Sequence, residues 1–360
     1  VDDRYGYYTY SSAETLQERL VVNYRGHRRY AGGAIYLHDS WNTTPRLTID
    51  AGLRVEATLA DSSVGLSPRL GAAYSLAEKH ELMASVGHYT QNNYDPPVLA
   101  LADEPTPEKV WHGDLGLESR LLPWLTHKVN LYGKYYYDLL TEIIEPVEGL
   151  SDGDIEQLLT ERFPPGSLDT LSAESLDRLI ASYLLAETPF TTRYVSTGRG
   201  VAAGIEYFLR YTPADFWHGW LSLSYGRSYR RRDRGWSWHP FPFERPLGIS
   251  LVNYYRMPRR YELGVKYRYM SGIPYTEVSY GDTTVIGPYN DKRYYGYHSL
   301  DWRFAKGFAG KRTRGHVYFE IWNSLNAPNL FLTDAKTREL QTLAFNIPTT
   351  VLFFGFDLEL

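Results

Sequence analysis

The last eleven residues of the chain, from Thr350 to Leu360, alternate with a period of two. From Leu352 onward every even position is a large hydrophobe, while Gly355, Asp357 and Glu359 fall on odd positions. That period belongs to a β-strand with one apolar face. It recurs with charge on the second face. Leu47, Ile49, Ala51, Leu53, Val55 and Ala57 alternate with Arg46, Thr48, Asp50, Arg54 and Glu56. Val129, Leu131 and Tyr135 are set against Lys128, Asn130 and Lys134, and Leu263, Val265, Tyr267 and Tyr269 against Glu262, Lys266 and Arg268. A soluble core tolerates few charges on its buried side, and a soluble surface rarely carries whole apolar rows. One face therefore meets hydrocarbon and the other water, which predicts an all-β, antiparallel transmembrane β-barrel.

Composition agrees where it speaks at all. Mean hydropathy is -0.40, and no run approaches the roughly 18 apolar residues of a spanning helix. Barrel strands hide only every second residue in lipid, so such a scan is blind to them. The 32 Tyr and 9 Trp among 360 residues suit the membrane boundary, where an aromatic ring has one wet end. A formal charge of -4 points away from nucleic acid. The absence of cysteine excludes disulfides, thiol chemistry and cysteine-type zinc sites. Residues 1–28 lack a basic start followed by an apolar core, so the chain reads as a mature segment or a fragment.

Polar breaks predict strands near 29–43, 46–60, 67–78, 80–93, 110–122, 126–147, 192–213, 218–231, 245–257, 261–278, 294–307, 313–330 and 346–360, with part of one more through Leu20, Val22 and Tyr24. Connections alternate between tight and long, as in outer-membrane barrels whose short turns face the periplasm. The long loops near 61–66, 94–109, 148–191, 232–244, 279–293 and 331–345 then face outward. The segment 148–191 carries two helical patterns. Asp154 and Gln157 precede Ile155, Leu158 and Leu159, with Pro164 and Pro165 as the stop. Leu176, Leu179, Ile180, Tyr183 and Leu184 recur behind Ser172. The domain reading is one barrel portion over 1–360 with an extracellular helical insert at 148–191, suited to self-packing, lidding or docking.

Several phrases resemble the TonB-dependent receptors. Ile35 to Trp41 followed by Arg46 to Arg54 is similar to that family's strand, tight turn and returning strand, and Ser67-Pro68-Arg69-Leu70-Gly71 to the next strand. Gly198-Arg199-Gly200 with Gly204-Ile205-Glu206, then Ser271-Gly272-Ile273-Pro274-Tyr275-Thr276, Tyr297 to Arg303, and Ile321-Trp322-Asn323-Ser324-Leu325-Asn326 follow in the family's order. The ending resembles the signal that outer-membrane assembly machinery reads, with Gly355, Leu358 and Leu360 at the glycine and the two terminal hydrophobes, although leucines replace the usual aromatics and Phe353 occupies a normally polar position. The resemblance implies a plugged barrel of about 22 strands in a Gram-negative outer membrane, of which this chain supplies about 13 or 14 and no plug. A self-standing barrel of about 14 strands is the alternative.

No catalytic constellation, metal-binding helix, phosphate loop or dinucleotide motif is present in the sequence, and no cofactor is expected. The single histidines His88, His112, His298 and His316 read as wall residues. The most suggestive cluster is Arg227, Tyr229, Arg230, Arg231, Arg232, Arg234, Trp236 and Trp238, at the top of a strand and in an outward loop. Guanidinium forks grip carboxylates and phosphates, and rings stack on flat ligands. An anionic chelate, lipopolysaccharide phosphates or plain solvation each fit it. Arg54, Glu56, Lys134, Glu206, Arg268 and Arg303 are expected in the lumen, paired with one another or with a plug.

The resemblance implies uptake of a scarce small-molecule nutrient, such as a metal chelate, with a plug, the TonB energy-coupling system and outer-membrane lipid as partners. The alternatives are a passive pore, a surface-binding or adhesion barrel, and an outer-membrane hydrolase, for which no residue pattern speaks.

Overall fold

The computed structural model describes residues 32–58, 63–92, 106–146, 190–233, 235–276, 289–310, 313–329 and 350–359, together with six two-residue strand segments elsewhere. Period-two alternation delivers thirteen long strands: β1 Gly32–Thr44, β2 Leu47–Thr58, β3 Ser63–Ala77, β4 His80–Gln91, β5 Glu108–Leu122, β6 Leu125–Pro146 and β7 Phe190–Ala214. They continue with β8 Trp217–Arg231, β9 Leu247–Met257, β10 Tyr261–Met270, β11 Tyr297–Ala309, β12 Arg314–Trp322 and β13 Val351–Glu359. Each pairs antiparallel with its neighbours in sequence. The two-residue strand His239–Pro240, added against β8, completes a 14-stranded sheet. Among the described residues β1 and β13 each have a neighbour on one side only.

Register separates the two faces. Leu115, Leu131, Ile205 and Tyr225 form one row across hydrogen-bonded strands, and Tyr207, Leu223, Ile249 and Tyr269 form a second on the same face, each residue opposing the next in register. Their immediate neighbours Asp114, Asn130, Glu206, Ser222, Ser250 and Arg268 point the other way, since a strand alternates its side chains. The membrane-facing wall is apolar, and the concave wall is polar.

Aromatic rings close the lipid face near the short turns. Trp217 stacks on Tyr255 with centroids 5.9 Å apart. Asn253, on the same face, accepts hydrogen bonds from Tyr211 Oη and Trp217 Nε1, both at 2.9 Å. The amide oxygen is thereby satisfied where water is scarce.

On the concave side, glycines make room for large rings. Tyr132 of β6 lies across Gly204 of β7 and Gly226 of β8, and a Cβ at Gly204 would meet the tyrosine hydroxyl at 2.7 Å. Gly226→Val is therefore expected to displace the ring and to destabilise the folded barrel by about 1–3 kcal/mol, read as a lowered unfolding temperature in detergent.

The strand expectations hold across the sheet, with corrections at several ends: the third strand begins at Ser63 rather than 67, so the outer loop expected at 61–66 is strand from Ser63 on. The tenth strand stops at Met270 rather than 278: Ser271 is tied across to the start of β9, its hydroxyl accepting from Leu247 N and its carbonyl from Arg245 Nη1. The twelfth stops at Trp322 rather than 330, because Asn323, Asn326 and Asn329 all take positive φ. The last is described from Val351, and the 346–349 part of the expected strand lies outside the described residues. The helical insert expected at 148–191 falls outside the described residues but for the beginning of β7. The extra strand expected through Leu20 to Tyr24 is described only at Asn23–Tyr24, which pairs with Tyr5–Gly6. The short connections are two-residue turns at 45–46, 78–79, 123–124 and 215–216, a 3-10 turn at Pro258–Arg260, and the link from Ala309 to Arg314. In the 3-10 turn Arg259 and Arg260 have φ of 63° and 62°. Such left-handed conformations cost a non-glycine residue roughly 1–2 kcal/mol.

Candidate functional site

At its long-loop end, β8 carries the arginine cluster, and strand alternation splits it. Register puts Tyr229 opposite Val201 and Arg231 opposite Arg199 on the lipid-facing side, and Arg230 opposite Gly200 on the concave side. The Arg230 guanidinium lies between two rings, 4.3 Å from the Tyr136 centroid and 4.7 Å from that of Phe241. Its Nη1 donates to Ser228 Oγ and to Tyr229 O. Gly200 is the space this arrangement needs, since a Cβ there would lie 2.6 Å from Arg230 Nη1.

The other arginines also find rings. Arg227 lies 5.2 Å from the Tyr229 centroid, Arg231 4.8 Å from Trp238, and Arg232 3.6 Å from Trp236. Cation–π contact occupies one face of each guanidinium and leaves its N–H edge as the group that can grip an anion. The aromatic residues of the sequence cluster therefore preorganise the arginines more than they present free stacking surfaces. Arg234 lies outside the described residues.

A residue absent from the sequence-level cluster organises this end of the molecule. The Glu244 side chain is 2% exposed, and its Oε1 lies 2.6 Å from Arg227 Nε and 2.9 Å from Arg293 Nη2. Arg293 also donates to the carbonyls of Glu244 and Gly272. Asn290 Nδ2 donates to Pro240 O at 2.8 Å, and His239 meets Tyr289 edge-on at 4.5 Å. These contacts fasten the loop between β8 and β9 to the loop between β10 and β11. Glu244 is the lone acidic residue in 235–246, a signal that composition of the segment alone could have supplied.

A second basic group lies on the outer lipid-facing side. Lys109, Tyr137, Arg199 and Arg231 oppose one another in register across β5 to β8. Asp138, at a bulge in β6 with φ of 55°, reaches Lys109 at 2.8 Å and Arg199 at 3.3 Å. A bulge re-aims a side chain in just this way.

The concave wall contains a cavity of about 660 Å³ lined by Ser85, Asp114, Lys128, Asn130, Glu206, Ser222, Ser224 and their neighbours. Asp114 accepts from Asn130 Nδ2 and Ser85 Oγ and stands 3.0 Å from His112 Nε2. Elsewhere on this wall Arg54 pairs with Glu56 at 2.8 Å, Arg268 with Asp301 at 3.2 Å, and Arg303 with Glu320. Lys134 lies 5.6 Å from the Tyr132 ring. Four of the six lumenal charges expected from sequence, Arg54, Glu56, Arg268 and Arg303, thus pair within the wall. No group of three or more potential metal ligands occurs among the described residues.

The family model for the TonB-dependent receptor-like β-barrel matches residues 1–333. No curated protein matches the chain. Among solved structures, the outer-membrane transporter YddB from Escherichia coli superposes with a TM-score of 0.65 at 11% identity, covering 94% of this chain and 46% of that one. The ferric-catecholate import receptor Fiu from E. coli K12 gives 0.60 at 12% identity, with 92% and 45% covered. The siderophore receptor PirA from Acinetobacter baumannii gives 0.60 at 12%, with 91% and 45% covered. The chain spans a little under half the length of these structures. Thirteen consecutive antiparallel strands, a lipid-facing row opposite a polar wall, and the matched family model together place the chain among the TonB-dependent receptor β-barrels of Gram-negative outer membranes.

Proposed function

We propose that this chain forms part of the wall of an energised importer that carries an anionic metal chelate across the outer membrane without changing it covalently. A plug and further strands, to about 22 in all, would complete the lumen, and the TonB system would drive release. The observation that carries this reading is the concave cavity. Lys128 and Glu206 enter it without an ion-pair partner among the described residues, and a charged surface of this kind calls for a polar occupant. At the outer end, arginines held by their own rings offer N–H edges to a carboxylate or catecholate oxygen. The lipid-side row of Lys109, Arg199 and Arg231 suits lipopolysaccharide phosphates on the same grounds. Fiu is a ferric-catecholate import receptor, and a ferric catecholate is accordingly the first probe.

In iron-limited cells, uptake of a radiolabelled ferric catecholate is expected to require the full-length protein and an energised inner membrane. The change Arg230→Ala, which removes the guanidinium on the concave side, is expected to lower uptake about tenfold, the equivalent of one charge-assisted hydrogen bond. Uptake indifferent to the proton-motive force, accompanied by a steady conductance from the purified protein, would instead identify a passive pore.

A further inference from the structure

The lipid-facing row of β9 runs Leu247, Ile249, Leu251, Asn253, Tyr255 and Met257, and Asn253 breaks it with an amide. Hydrocarbon offers an amide no hydrogen-bond partner, so a polar group in such a row must be satisfied by protein or by whatever lies against it. Tyr211, Gly219 and Asn253 stand opposite one another in register across β7, β8 and β9. Gly219 lets the Tyr211 ring cross β8, since a Cβ there would lie 2.8 Å from the tyrosine hydroxyl. Trp217 closes the other side, edge-on to Tyr211 with centroids 5.6 Å apart. The contacts to Asn253 fix which way its amide points. Indole Nε1–H can only donate, so the atom 2.9 Å from it is the carbonyl oxygen. The Tyr211 hydroxyl donates to the same oxygen at 2.9 Å. Nδ2 is turned away from both, and among the described residues nothing accepts its N–H groups.

Depth decides what can accept them. Met257 pairs with Tyr261 at the short turn, and Asn253 lies four residues further along β9. At about 3.4 Å per residue that is about 14 Å along the strand, and a tilt of about 45° makes it about 10 Å along the bilayer normal. The headgroup layer on each side of the hydrocarbon is about 5–8 Å thick. Asn253 therefore lies at the inner edge of that layer, the level of the glycerol esters. Trp217 and Tyr255, stacked one position nearer the turn on the same face, sit among the headgroups, where such rings gather. An ester carbonyl accepts hydrogen bonds and has none to give, which complements a nitrogen that only donates.

We propose that Asn253 Nδ2 donates to an acyl-ester carbonyl of a glycerophospholipid in the periplasmic leaflet, with the stacked rings of Trp217 and Tyr255 beside the glycerol and Leu251 beside the acyl chain. The location at the short-turn end selects the inner leaflet. No charged side chain takes part, so the site selects the ester linkage and is indifferent to the headgroup.

The test uses the full-length protein, delipidated in detergent, with the first lipid retained counted by native mass spectrometry. A diester phosphatidylethanolamine competes with its dialkyl-ether analogue, which has the same headgroup and chain length and lacks only the carbonyls. The wild type is expected to retain the diester about fivefold better, the ratio of one ordinary hydrogen bond. A phosphatidylglycerol pair is expected to give the same ratio. Asn253→Leu is expected to retain diester and diether equally. Tyr211→Phe, which keeps the amide and removes one contact to its oxygen, is expected to lower the unfolding temperature while an ester preference persists. Equal retention of the two lipids by the wild type, or an unchanged preference in Asn253→Leu, would overturn the proposal and leave the amide as an acceptor for Tyr211 and Trp217 alone. A preference that follows the headgroup and ignores the linkage would overturn the ester assignment.

Discussion

Replacing Glu244 with alanine is expected to release the two outer loops from each other and to cost about 3 kcal/mol in their local stability. The carboxylate is almost fully enclosed and holds Arg227 and Arg293 at once. Removing it leaves two guanidinium groups with no neutralising partner at the site, and deleting one member of a buried ion pair typically costs about 3–5 kcal/mol. The lower end applies because both arginines remain partly exposed. Hydrogen exchange on the full-length protein should show faster opening of 239–246 and 289–294, with the strands below unaffected. Glu244→Gln keeps an acceptor and should fall between the two. Equal exchange in the wild type and Glu244→Ala would remove Glu244 from its role as the fastener.

The second large effect separates two adjacent residues. Leu131 lies in the middle of the lipid-facing row, between Leu115 and Ile205, whereas Asn130 points into the lumen beside Asp114. Arginine at Leu131 is expected to cost about 2–4 kcal/mol, the penalty for a cation near the middle of a bilayer. Arginine at Asn130 meets water and a carboxylate, and is expected to cost under about 1 kcal/mol. Unfolding in lipid vesicles measures both. A greater loss from Asn130→Arg than from Leu131→Arg would invert the assignment of faces and with it the membrane reading.

Strands were legible in the sequence wherever the two faces differed in chemistry. From Leu47 to Ala57 the alternation is unbroken, and the strand begins at Leu47 and ends one residue beyond, at Thr58. Legibility failed where backbone conformation or a distant contact, not polarity, ends a strand. The stretch after Met270 keeps Ile273 and Tyr275 in phase, yet it leaves the sheet after Ser271, which is tied to Arg245 and Leu247, 26 and 24 residues earlier, by contacts that no local pattern announces. Asn323 ends β12 through its positive φ. At the candidate site, residue types in one short segment revealed the arginines and tryptophans. Arg230's partner Tyr136 comes from another strand, and no local pattern announces a contact across 49 residues such as that between Glu244 and Arg293. The glycines of the Gly198 to Gly204 phrase were visible as a motif. Their purpose, accommodating Arg230 and Tyr132, became apparent only when neighbouring strands were in place.

Because every long strand pairs with its immediate successor, the wall can zip up hairpin by hairpin, each step closing only the loop just synthesised. Closure entropy grows slowly with loop length, by about 0.6 kcal/mol per doubling, and low contact order favours rapid assembly. The slowest internal step should then be the joining of β7 to β6, whose ends are separated by residues 147–189. Shortening that segment should quicken the acquisition of the folded state while leaving the strands on either side of it in the same register.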